Sequence, residues 1–133
     1  MRTRGAHHVS LVVRDLQRAR SFYGDLLELP EIERPDFGFP GAWYQAGAIQ
    51  LHLIVAPPGV DTGSPPQRAT PIAAHLALEI EDYGSALERL RAAELEVIAL
   101  GEAAGQLFVR DPDANLIELI RPGGRLGRPP AGS

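Results

Sequence analysis

The chain has 133 residues, 44% hydrophobic and 23% charged, which suits one globular domain with one core. Its net charge is −4, all thirteen basic residues are arginine and no basic run occurs, so nucleic acid is not an expected partner. There is no cysteine, which excludes disulfides, thiolate metal sites and cysteine nucleophiles. No apolar run approaches the ~20 residues of a bilayer span, and "MRTRGAHHVS" lacks a signal peptide's apolar stretch, so the expectation is a cytoplasmic protein without a membrane partner.

In chain order, residues 8–13 read as a strand, and Asp15 reads as the N-cap of a helix. Leu16, Ala19, Phe22, Tyr23, Leu26 and Leu27 form that helix's apolar stripe, which Leu29 and Pro30 end. "EIERPDFGFPG" is turn-rich, with a short strand around Ile32. "AWYQAG" and "AIQLHLIVA" are two strands joined by a tight turn at Ala46-Gly47. Residues 57–71 hold five prolines and two glycines; they read as a flexible linker, the alternative being a loop that closes over a ligand. Residues 75–80 are a strand, and Asp82 begins a helix carrying Ala86, Leu87, Leu90 and Ala93. "EVIALG", "GQLFVRD" and "NLIELI" are strands, the last two joined by the "DPDAN" turn. The segment 122–133 has the composition of a disordered tail.

The two halves repeat. His8 and His75, Leu11 and Leu78, Val13 and Ile80, Asp15 and Asp82, and Ala19 and Ala86 all differ by 67, and "IQL" (49–51) matches "IEL" (117–119) with an offset of 68. The expected organisation is therefore α+β: one domain over 6–121, built from two tandem βαβββ modules at about 6–56 and 73–121 and joined by the Pro-rich linker 57–72.

Strand residues alternate between faces, and the helices must cover the more apolar one. The other face then collects His8, Gln50, His52, His75 and Glu118, while His7 falls on the helix side or ahead of the strand. Singly these residues say little, since a lone strand-end histidine is most often a surface group. Jointly, the repeat puts His8 with His75 and Gln50 with Glu118. Two imidazoles, a carboxylate and an amide oxygen are costly to bury unless they satisfy one another or hold an ion, and they suit a divalent Zn, Ni, Co, Mn or Fe. His52 has the right parity but no polar counterpart in the repeat, where Ile120 stands, so it reads first as pocket-lining.

"HHVSLVVRDLQRARSFYGDLLEL", "HLALEIED" and "LFVRDPDANLIELI" together resemble the vicinal oxygen chelate superfamily, which includes glyoxalase I, methylmalonyl-CoA epimerase, extradiol dioxygenases, fosfomycin-resistance enzymes and bleomycin-binding proteins. The resemblance covers about residues 6–121. It implies sheets curled around a central cavity, a homodimer, and metal ligands at His8, Gln50, His75 and Glu118. A His-Gln-His-Glu set is similar to the glyoxalase and epimerase branch, implying a lyase or isomerase that chelates vicinal oxygens of a small substrate and stabilises an enolate, with Glu118 as the base. Gln50 cannot be a base; Glu33 and Glu79 are the candidates for a second acid or base, and Trp43 for a pocket wall. The alternatives are a metal-free protein that binds an antibiotic or other small molecule, and an Fe(II) dioxygenase using His8, His75 and Glu118. Two departures from the family pattern concern turns: Glu28 and Ala114 stand where glycine is common.

Overall fold

Two aspartates start the two helices in the same way. Asp15 and Asp82 keep extended backbone, and each carboxylate accepts a hydrogen bond from the N–H three residues on, from Arg18 at 3.1 Å and from Ser85 at 2.7 Å. The computed structural model describes residues 1–124, 126 and 127, so the expected tail lies mostly outside the described residues. Two compact units make up the chain: Gly5–Pro65 with Asp111–Asp113, and Met1–Arg4 with Pro66–Arg110 and Ala114 onward.

The first unit runs β1 (His8–Val13), α1 (Leu16–Arg20, continued as a π-helical turn over Ser21–Leu26), β2 (Glu31–Ile32), β3 (Gly41–Ala46) and β4 (Ile49–Val55). The second runs β5 (Leu76–Glu79), α2 (Tyr83–Ala92), β6 (Ile98–Ala99), β7 (Gln106–Arg110) and β8 (Leu116–Ile120). Their sheets have one topology, β1-β4-β3-β2 and β5-β8-β7-β6, each with a single parallel pair at the crossover strand. The repeated βαβββ unit read from the sequence is thus the architecture. The β3–β4 turn falls one residue later than expected, on Gly47 and Ala48, with Gly47 at φ 61°.

The repeat also explains the π-helical turn. The N-caps Asp15 and Asp82 are 67 apart, but the left-handed residues that follow the helices, Glu28 and Glu94, are 66 apart. The first helix therefore carries one extra residue, and the i→i+5 bond from Leu27 N–H to the Phe22 carbonyl (2.9 Å) absorbs it. The widened turn buries two adjacent aromatics, Phe22 and Tyr23. After α2 the end is a Schellman motif, with Leu95 N–H donating to the Leu90 carbonyl at 3.2 Å.

Each unit has its own apolar core: Val13, Ala19, Phe22, Tyr23, Tyr44, Leu51 and Leu53 in the first, and Tyr83, Leu90, Leu107, Val109, Ile117 and Leu119 in the second. Burial departs from simple alternation on β8, where Leu116 and Glu118 are as buried as Ile117 and Leu119, so both faces of that strand are covered. Among the described residues no helix is long and apolar enough to cross a membrane.

The two turn departures prove to be positive-φ positions, Glu28 at 59° and Ala114 at 67°. An L-residue there carries backbone strain that glycine avoids. Ala114→Gly is expected to stabilise the fold by about 0.5–1 kcal/mol, read as a higher urea midpoint at unchanged m-value. A lower midpoint would show that the turn stores no such strain.

Candidate metal-binding site

In the second unit, His75 lies one residue before β5 and Glu118 lies mid-β8, opposite Ala77. His75 Nδ1 is 2.7 Å from the Ala73 carbonyl oxygen. A carbonyl oxygen only accepts, so Nδ1 carries a proton and a neutral His75 presents its lone pair at Nε2. That nitrogen is 3.2 Å from Glu118 Oε2. Two Lewis bases thus face each other, an arrangement relieved by a proton on Nε2 or by a shared cation. The pair fits a transition metal on its donor chemistry.

Glu118 is 3% exposed, and its other oxygen, Oε1, accepts from Gln106 Nε2 at 2.7 Å. Phe108, directly opposite Glu118 on β7, meets the His75 ring edge-on with centroids 5.2 Å apart. The two bases are therefore held on three sides: by a backbone carbonyl, an amide N–H and an aromatic ring.

In the first unit, His8 and Gln50 are register partners on the parallel strands β1 and β4. Gln50 Oε1 is 2.9 Å from His52 Nε2, so that nitrogen donates and the amide oxygen keeps a second lone pair. His52 stands between two parallel rings, Trp43 at 4.0 Å and 4°, and His8 at 4.1 Å and 15°. Burial, and then the neighbouring His8, His7 and Arg34, hold the His52 imidazole below its ordinary pKa, which favours the neutral ring. His8 Nδ1 is 2.9 Å from His7 Nδ1, which leaves Nε2 as the ring nitrogen outside that contact.

The structure thus pairs His75 with Glu118, and joins His8, Gln50, His52 and Trp43 in one array. Glu33 and Glu79 are exposed. Among the described residues no group of three or more His, Asp or Glu side chains is arranged to hold a metal ion. Sequence reasoning passed over Gln106; the signal available was a glutamine heading an otherwise apolar strand, with the same parity as Phe108. It also read "FY" only as part of an apolar stripe and "DPD" only as a turn, without the link between them. Tyr23, fully buried, donates its hydroxyl to Asp111 Oδ2 at 2.6 Å, Asp111 Oδ1 accepts from Asp113 N–H at 2.9 Å, and Asp113 Oδ1 accepts from Arg14 N–H at 3.0 Å. Burial first, and the nearby Asp111 second, push the Tyr23 phenol far up, so it stays a donor.

Comparison with known proteins agrees with this architecture. The family model described as glyoxalase/bleomycin resistance protein/dioxygenase superfamily matches residues 5–119. Among solved structures, a glyoxalase family protein from Bacillus anthracis is 26% identical, with a TM-score of 0.72 over 91% of this chain and 98% of that one. A glyoxalase/dioxygenase from Nostoc punctiforme is 25% identical, with a TM-score of 0.71 over 89% and 90%. TnmS3, an antibiotic-binding protein from Streptomyces sp. CB03234, is 21% identical, with a TM-score of 0.71 over 92% and 99%. No curated protein matches the chain.

Proposed function

Because the chain belongs to the glyoxalase/bleomycin resistance protein/dioxygenase superfamily, we propose that it is a divalent-metal-dependent enzyme of glyoxalase type, a lyase or isomerase acting on a small substrate with two neighbouring oxygens. The observation that carries this reading is the facing pair of His75 Nε2 and Glu118 Oε2, two bases 3.2 Å apart with nothing but a proton or cation to reconcile them. The proposed ligands are His8, Gln50, His75 and Glu118, and the ion one of Zn, Ni, Co, Mn or Fe. When bound, such an ion supplies Lewis acidity toward vicinal oxygens.

The chain's own residues do the rest. Glu118 is the group that takes a proton from the carbon acid, because it is the one carboxylate in the proposed set. Its burial strips away water that would compete for that proton. The Ala73 carbonyl fixes the His75 tautomer, as an outer partner does for a ligating imidazole. His52, held between Trp43 and His8, orients the Gln50 amide. A homodimer belongs to the same reading, with light scattering as its check.

Elemental analysis of purified, tag-free protein tests it. The expected result is about one transition metal per chain, lost in the His8→Ala/Glu118→Ala double variant. No metal, even after incubation with Ni, Co, Zn and Fe(II), sinks the enzyme reading. Iron together with oxygen uptake on catechols would instead select the dioxygenase reading.

A second reading rests on the Trp43–His52–His8 stack, an aromatic surface able to hold a planar ligand without any metal. It makes the protein a small-molecule or antibiotic binder, and predicts tight binding that a chelator does not change.

A further inference from the structure

We infer that Gln106 is a positioning residue for Glu118, which holds the carboxylate with Oε2 turned toward His75 Nε2; this rests on the metal-dependent reading above. Gln106 is 7% exposed and Glu118 is 3% exposed, and the amide Nε2 donates to Oε1 at 2.7 Å. A short bond between two buried groups leaves the carboxylate little freedom to rotate, and water cannot replace the donor. The strand register makes the contact diagonal: Gln106 stands opposite Ile120, and Glu118 opposite Phe108. The first unit uses its matching slot differently. There Trp43 stands opposite His52, the counterpart of Ile120, and Gln45 stands opposite Gln50, the counterpart of Glu118. One unit thus steadies its polar strand residue with an amide donor on the neighbouring strand. The other steadies it with an imidazole on the same strand, itself clamped between rings. With Oε1 held by Gln106, Oε2 is the oxygen turned toward His75 Nε2.

Gln106→Met keeps the length and volume of the side chain but removes the donor. The full chain is titrated with Co(II) alone, following the visible absorption spectrum and the affinity, beside the wild type and Glu118→Ala. The expected result is a folded Gln106→Met protein that binds Co(II) about 10–100-fold more weakly, with an altered spectrum that reports a changed coordination. A Gln106→Met protein with wild-type affinity and spectrum overturns the positioning role and leaves the metal reading standing. A wild type that takes up no Co(II), indistinguishable from Glu118→Ala, overturns the metal reading and this inference with it. Should Gln106→Met fail to fold, the side-chain amide of Gln106 is followed by NMR in the wild type during a Zn(II) titration. One strongly downfield N–H proton that persists at saturation is expected, and its loss on Zn(II) binding overturns the role.

Discussion

Glu118→Gln is expected to fold as well as the wild type while losing its metal and its turnover. The substitution keeps the side chain's shape on β8. Its amide oxygen can still accept from Gln106, and its amide N–H can donate to the lone pair that His75 presents at Nε2. The substitution removes a carboxylate from a buried position while leaving partners for Gln106 and for an unprotonated His75 Nε2, so the melting temperature should hold or rise. Function should move the other way. Replacing a charged ligand is expected to weaken metal binding by more than about 100-fold, beyond what removing an outer partner does. Removing the base should take a further factor of about 10²–10⁴ from any proton-abstraction step. Opposite signs in stability and binding are the pattern of a residue kept for function at a cost to the fold. The outcome that sinks this account is a variant with wild-type metal content, or one that is unfolded.

Much of the fold was legible because it is written twice. Each copy spells an aspartate N-cap, an apolar stripe at helical spacing and three alternating strands, and agreement between copies filters out accidental patterns. The same doubling picked out His8 with His75 and Gln50 with Glu118, whereas Glu28 and Ala114 stood out only as departures from the family pattern. Less legible was whatever the two copies do not share. The extra residue in the first helix is visible only once Glu28 and Glu94 are known to be the left-handed ends, because no local signal marks a π-helical turn. Gln106 was missed because its role depends on a diagonal neighbour across an antiparallel pair, and that register is set by a turn whose geometry the sequence states only loosely. His52 had the right parity, but its clamp between Trp43 and His8 needs three strands at once.

The largest expected effect on stability lies away from the proposed ligands, in the bond between Tyr23 and Asp111. The tyrosine is fully buried and the aspartate is 5% exposed, so neither can turn to water if its partner is removed. Asp111→Ala deletes the acceptor of the Tyr23 hydroxyl and also the acceptor of Asp113 N–H, which holds the "DPD" turn in shape. Leaving a buried hydroxyl unpaired costs about 1–3 kcal/mol, and losing the turn bond adds to it, so a total of about 3 kcal/mol is expected. Tyr23→Phe leaves the carboxylate with its turn bond and should cost less, about 1–2 kcal/mol. In the double variant neither group is orphaned, so the combined cost should fall short of the sum by about 1 kcal/mol or more. Urea denaturation of the four proteins reads this coupling directly. Additive costs would mean that the 2.6 Å bond does not hold the turn to the first helix, and that "FY" and "DPD" serve separate purposes. A coupling of the expected size would identify them as the two halves of one fastening that spans 88 residues of sequence.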